Sequence, residues 1–562
     1  MKKKSTFIPS EKTPAFMPEM RMNPRGEEER TTALRPWESI FWAGLVFSYF
    51  LTRLVNLKLI PIFTDEAIYT YWAQVALNDP AQRFISLQDG KQPLFIWLAA
   101  IMQKVVSDPL IGSRLVSVFA GFGSIIGIYL LAKELFRASE NPVMQSVNKQ
   151  EIAKRRKREP RSIDRGNLFS EKVAKIAAFL YLILPFTLLY DKLSLFDSLL
   201  TMFGIYAVLL TVKMIKEPKL DLALLNGLTI GAALITKSSG SFFLYLLPFS
   251  LILFDFSKKD WKQKVTRWIG FSALTFVIAQ SIYNSLRLSP LFYIIERKNY
   301  EFIRPLSEVI KDPSLHLYSN AQSLLGWLIT YIGIFLFIIF LSATFYGISQ
   351  KDRRIFYLLL LFLVPFIAES LFNQILYPRF ILFYLPPAIL AVSWGFVSFM
   401  GVSTKWNKIL IFIFAASIVI PVVKSFFILT NPPISKIPQS DSNQYFNDWP
   451  AGYGVNEVVE IIDKESRDKE VYIGTQGTFG LFPYALNIYF RENKNVHIFS
   501  YWPVDPEILP SEIMGYAKAN KTYFVFNENQ KEIKNPNLSL IAKYQKGIGE
   551  SYMRLYAINP VQ

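Results

Sequence analysis

The side chains best suited to chemistry in this 562-residue chain stand at the edges of apolar runs. Asp65 and Glu66 are adjacent carboxylates just beyond the first such run, within IFTDEAIYTYW (62–72). Two carboxylates placed there have two uses. They can cap and charge the first turn of a helix near its positive end, or one can serve as a general base; a single residue can do both. Asp89, Lys91, Arg114, Asp191, Lys192, Lys237, Arg287 and Arg379 occupy similar edges further along. Asp197 lies nearly two turns inside an apolar run, where an acid is costly without a partner or a water-filled cavity. Cysteine is absent, which excludes disulfides, thiolate nucleophiles and thiolate metal sites. The two histidines are His316 and His497, so a two-histidine metal site needs both.

The elements that must position these residues are membrane helices. Hydrophobic residues make up 51% of the chain and charged residues 19%, against about 25% charged in soluble domains. A spanning helix needs ~20 apolar residues. Eleven candidates lie near 38–57, 112–135, 173–190, 193–215, 221–236, 239–256, 266–286, 322–346, 355–371, 379–400 and 408–429. The shorter QPLFIWLAAIMQKVV (92–106) reads as a helix lying on the membrane surface. The expected fold is therefore mainly α: a polytopic membrane protein of about eleven spans with interfacial helices.

Charge sets the orientation. With the N-terminus cytoplasmic, the inside segments hold 33 of the 61 Lys and Arg residues. The densest is KRRKREPRSIDR (154–165). The +17 net charge is thus a membrane-side bias, not a nucleic-acid surface. On this reading the listed edge residues from Asp65 to Arg379 share the outer face, as when a site is assembled from loops on a helical scaffold. The expected division is a disordered cytoplasmic tail (1–37) without a cleavable signal, a membrane domain (38–429) and an extracytoplasmic domain (430–562). The membrane domain contains a first outer loop (59–111), a basic cytoplasmic loop (136–172) and a long outer loop (287–321). In the last domain VYIGT (471–475), VHIFS (496–500) and TYFVFN (522–527) read as strands. Helix-like stretches at 454–465, 478–490 and 510–519 alternate with them, which predicts a small α/β fold. GTQGTFG (474–480) lacks a dinucleotide or Walker pattern and reads as a tight strand-to-helix turn.

The order of these motifs resembles the GT-C membrane glycosyltransferases, in particular the protein O-mannosyltransferase (glycosyltransferase family 39) and lipid A aminoarabinose transferase groups. The resemblance covers roughly residues 38–430. Its elements are Asp65-Glu66, GKQPLFIW (90–97) with Lys91 and Pro93, YDKLSLFDSLLTMFG (190–204), Lys237 and YPRFILFYLPP (377–387). Gln92 and Lys192 stand where the family more often has proline and arginine.

The resemblance implies transfer of a monosaccharide from a polyprenyl-phosphate carrier to an acceptor outside the cytoplasmic membrane, with inversion at the sugar carbon. The acceptor is a protein, lipid or glycan hydroxyl. Asp65 would be the base, with Glu66 orienting it or touching the sugar. The leaving lipid phosphate needs fixed positive charge, a role for Lys192, Lys237 and Arg379. Asp197 matches the family's second acid, and Asp191 is the other candidate. An apolar groove would hold the prenyl tail. No obligatory cofactor is expected; some relatives hold a divalent metal, for which His316 is the candidate. Two other classes compete: a lipid-linked sugar transporter or flippase, and a non-catalytic membrane protein with an outer binding domain. A transporter usually places charge near the midplane and often shows repeats, whereas this chain places it at one face and shows no repeat.

Overall fold

A computed structural model describes residues 36–137, 162–402, 407–528 and 533–559. The N-terminal tail and most of the basic loop lie outside the described residues. Residues Phe47–Gln562 form one compact unit, and the first part of the opening helix belongs to another.

The helices in chain order are α1 (Pro36–Leu54), α2 (Thr64–Asn78), α3 (Leu94–Gln103), α4 (Pro109–Phe136), α5 (Ser162–Ile183), α6 (Pro185–Asp191), α7 (Phe196–Lys216) and α8 (Leu220–Leu234). There follow α9 (Phe242–Leu246), α10 (Trp261–Asn284), α11 (Tyr293–Phe302), α12 (Leu306–Lys311), α13 (Leu317–Ile332), α14 (Ile334–Ser349), α15 (Arg353–Phe372), α16 (Leu385–Val402) and α17 (Asn407–Thr430). Among the described residues six helices are long and apolar enough to cross a membrane, and eight if two bent pairs each count once. These eight coincide with eight of the eleven expected runs. The other three differ: α1 carries Glu38 and Arg53, α8 has 15 residues, and 239–256 is a chain of short turns around α9.

Both bends have local causes. α5 and α6 meet at 62°, where Pro185 cannot donate into the preceding turn. α13 and α14 meet at 109° at Gly333, whose φ of 84° few other residues adopt. The expected single run 322–346 is thus two helices. α3 forms within the expected surface segment, but Phe95 and Ile96 are fully buried on one side of it.

After α17 come α18 (Gln439–Ser442), α19 (Val455–Glu465), α20 (Tyr484–Phe490) and α21 (Ser511–Ala517). They accompany five strands: β1 (Val471–Gln476), β2 (Val496–Tyr501), β3 (Lys521–Phe526), β4 (Leu538–Gln545) and β5 (Tyr552–Ile558). The sheet order is β2-β1-β3-β5-β4. β1 runs parallel to β2 and β3, while β5 runs antiparallel to β3 and β4. Val458, Ile462, Leu486 and Val525 fill one side of the sheet, and Ile513, Phe524 and Tyr556 the other. The first of these cores continues into Ile62, Ala67 and Leu110. The sheet domain therefore shares its interior with the helix that carries Asp65.

Candidate active site

Asp65 lies in the first turn of α2, and the helix N-cap is Phe63, without a side-chain cap. The capping role is thus not taken by either carboxylate. Backbone supplies what the cap lacks: the Thr64 amide donates to the Pro450 carbonyl at 3.1 Å, beside an isolated Phe63–Ala451 bridge. Asp65 Oδ2 pairs with Arg379 Nη1 at 2.8 Å. The aspartate side chain keeps 22% exposure and the arginine 11%, so the pair lies at an opening.

Arg379 comes from the turn Pro378–Tyr384 that leads into α16. Its guanidinium lies 4.6 Å from the Tyr377 ring centre. The next residue, Phe380, lies under Lys237 Nζ at 4.4 Å. Lys237 pairs with Asp197 at 2.6 Å, and Asp197 stands in the first turn of α7. Asp197 thus stands at the start of its helix rather than nearly two turns inside it, and the partner a buried acid requires is Lys237. Tyr384 donates to buried Glu369 at 2.8 Å and fastens the Arg379 turn to α15. Glu369 carries no sequence signal beyond being an acid in an apolar run.

Lys91 approaches from the first outer loop. It lies 3.9 Å from Asp89 and 5.2 Å from the Phe302 ring centre. Burial holds its ammonium below the usual lysine range, opposed by Asp89 and Asp65. Gly90 has a φ of 67°, and a Cβ there would stand 2.7 Å from Lys298 Cβ. Glycine thus lets α11 close on this loop, where Lys298 also pairs with Asp89 at 3.2 Å. Gln92 Nε2 donates to Ser238 Oγ at 2.7 Å, tying the loop to the Lys237 turn. Pro93 is buried and precedes α3, whose Leu94 amide donates to the Ile235 carbonyl.

Asp65, Lys91, Asp197, Lys237 and Arg379 thus converge from five separate segments. Three other expected residues have structural partners instead. Glu66 is fully buried in a two-pronged pair with Arg114, at 2.8 Å and 2.5 Å, and also accepts from the Ser194 amide. Arg114 in turn donates to the Leu57 and Ile60 carbonyls. Lys192 donates to the Arg53 and Val55 carbonyls at 3.1 Å and 2.9 Å, where α1 ends. Asp191 accepts from Ser198 and lies 3.5 Å from Arg53. His316 stands at the N-cap of α13, and among the described residues no three His, Asp or Glu side chains are grouped to hold a metal.

The five convergent groups carry two negative and three positive side chains. An arriving phosphate can exchange for Asp65 at Arg379, because Asp65 keeps 22% exposure, and can add to Lys237 while Asp197, which is buried, stays paired with it. Behind the turn an apolar cavity of about 20 Å³ is lined by Leu131, Ile205, Phe243, Leu361, Phe383 and Pro387.

No family model and no curated protein sequence matches the chain. Solved structures do. The fold is similar to ArnT from Cupriavidus metallidurans in the apo state, with a TM-score of 0.53 at 12% identity, covering 94% of this chain and 99% of that one. The same protein bound to undecaprenyl phosphate matches at TM-score 0.51 and 14% identity, with the same coverage. The apo Archaeoglobus fulgidus oligosaccharyltransferase matches at TM-score 0.46 and 14% identity, over 87% of this chain and 69% of that one. The fold is therefore that of the two ArnT structures, and the apolar helices mark an integral membrane protein.

Proposed function

We propose that this chain is a membrane glycosyltransferase that moves a monosaccharide from a polyprenyl-phosphate carrier to an acceptor hydroxyl at the outer face. The observation that carries the reading is the neighbouring Asp65–Arg379 and Lys237–Asp197 pairs at one opening of a GT-C-like fold. The likeness to ArnT, solved with undecaprenyl phosphate, supports the carrier class.

The groups divide by chemistry. The donor phosphate binds Arg379 and Lys237, a guanidinium fork and a point charge. As it draws Arg379 away, Asp65 is left facing the acceptor. The acceptor hydroxyl gives its proton to Asp65 while its oxygen attacks C1 of the sugar. The C1–O bond to phosphate breaks, and the electron pair leaves on the phosphate, which the two cations hold. Attack opposite the leaving group inverts C1. Lys91 stands where it can meet a phosphate oxygen or a sugar hydroxyl. Glu66 supports the site indirectly, by locking α2 to Arg114. The cavity behind the turn has room for about one water, so a prenyl tail enters by parting the apolar side chains around it. No obligatory metal is assigned.

Purified protein is tested with a panel of radiolabelled polyprenyl-phosphate sugars, wild type beside Asp65→Asn. Transfer by wild type, reduced at least ~100-fold in the variant, is expected. Folded wild type that consumes no donor would instead favour a lipid-linked sugar transporter. Transfer is expected to persist in excess chelator, and its loss would place a metal in the reaction.

A further inference from the structure

The carboxyl ends of β2, β1 and β3 lie side by side, the edge where open α/β sheets characteristically receive ligands. The chain leaves this edge through Trp502, through Gly477–Gly480 and through Asn527-Glu528. Phe479 and Trp502 are 52% and 57% exposed, and Trp449 is 42% exposed. All three rings belong to segments that adjoin this edge.

The backbone beneath the rings is fixed. Gln476 Oε1 accepts from the amides of Asn527 and Glu528 at 3.1 Å and 2.9 Å. The Trp449 carbonyl accepts from Asn527 Nδ2 and from Lys546 Nζ. The Gly477 amide donates to the Tyr501 carbonyl at 2.9 Å. A rigid frame with exposed rings is a preorganised surface rather than a loose one.

This edge also meets the candidate active site. Phe479 lies 6.4 Å from Trp72 of α2 between ring centres. A Cβ on Gly480 would stand 3.4 Å from Thr64 Cγ2, one residue from Asp65. Pro450, next to Trp449, receives the Thr64 amide.

We propose that this edge is the acceptor subsite, and that it takes a saccharide. A sugar ring offers a C–H face to an aromatic ring and hydroxyls at its rim. Phe479, Trp502 and Trp449 supply the faces, and Glu528, half-buried beside Gly477, supplies an acceptor for hydroxyls. A carboxylate at this edge argues against its burial in lipid. The assignment deepens the glycosyltransferase reading and rests on it for the meaning of the ligand, but the binding itself is testable without turnover.

The test is saturation-transfer NMR on the full chain in nanodiscs, with cellotetraose, chitotetraose and maltotetraose as probes. Transfer to the C–H protons of at least one is expected. It should weaken roughly tenfold in the Phe479→Ala/Trp502→Ala double variant and persist in Asp65→Asn. Trp502→Ala alone, which has no ring contact among the described residues, should unfold at the wild-type temperature and still weaken transfer, which separates loss of binding from the loss of the Phe479 contacts with Trp72 and Tyr484. No transfer from any probe, or equal transfer from the double variant, overturns the assignment. So does quenching of the patch by brominated lipid, which would make it a membrane anchor. Binding that behaves as expected in a protein without transferase activity would leave the subsite standing and sink the catalytic reading alone.

Discussion

Whether a charged side chain is available for chemistry depends on what already satisfies it. Lys192 and Lys237 both stand just past the end of a helix, α6 and α8. Lys192 is buried against two backbone carbonyls at 3.1 Å and 2.9 Å, whereas Lys237 keeps 23% exposure and faces one aspartate. Lys192→Met should therefore lower stability by about 2–3 kcal/mol, with donor KM unchanged in the folded fraction; denaturant melts and donor titrations separate these effects. Arg379→Gln should raise donor KM with little loss of stability, since Asp65 keeps 22% exposure, whereas Lys237→Gln should raise donor KM and also lower stability, because the facing Asp197 is buried. Glu66→Gln weakens the pair with Arg114 and should cost several kcal/mol, because removal of one charge from a buried pair costs roughly 3–5 kcal/mol. The charge types were readable from the sequence. The backbone carbonyls that occupy Lys192 were not, since no side-chain identity encodes them.

At the scale of elements, the legible features were those with a local period. Continuous apolar runs marked the long helices, and β-branched or aromatic runs marked β1, β2 and β3. Breaks inside apolar runs were harder. Pro185 and Gly333 are visible, but hydropathy is unbroken across them, and only packing decides whether a run bends. β4 went unread because it is an edge strand, largely exposed, with polar residues between its apolar ones. One short element carries a pH dependence. Asp441 of α18 is fully buried and receives the hydroxyls of Tyr190 and Tyr331, from α6 and α13. Burial pushes its carboxyl from the ordinary 3.8 up to about 7, against those hydrogen bonds. The folded state thus holds a proton that the unfolded chain has released between these values. This group's contribution to stability is full below about 4 and is lost as pH rises to about 7. Asp441→Asn should flatten that part of the stability profile, measured as melting temperature against pH in detergent.

At the scale of the whole molecule, the sheet domain and the membrane helices cannot be treated as separable parts. Ile62, Ala67 and Leu110 belong to the same core as Val458, Leu486 and Leu555. Tyr71 stacks on Tyr484 at 4.8 Å, and Gln74 donates to the Ile488 carbonyl. The α/β character of the last domain was legible; its shared core with α2 was not, because contacts across hundreds of residues leave no periodic trace. A reporter fused after Gln562 should lie outside the cytoplasm, and a cytoplasmic signal would reverse the proposed topology. A chain ended at residue 430 should insert but transfer no sugar, even when supplied with carrier. The contact between Thr64 and Pro450 also orders events in time. Asp65 leaves the ribosome early, while the residues that seat its helix follow 386 positions later. The proposed activity should therefore begin only once the last domain has folded against α2, and a membrane-inserted nascent chain that stops short of Pro450 should be inert.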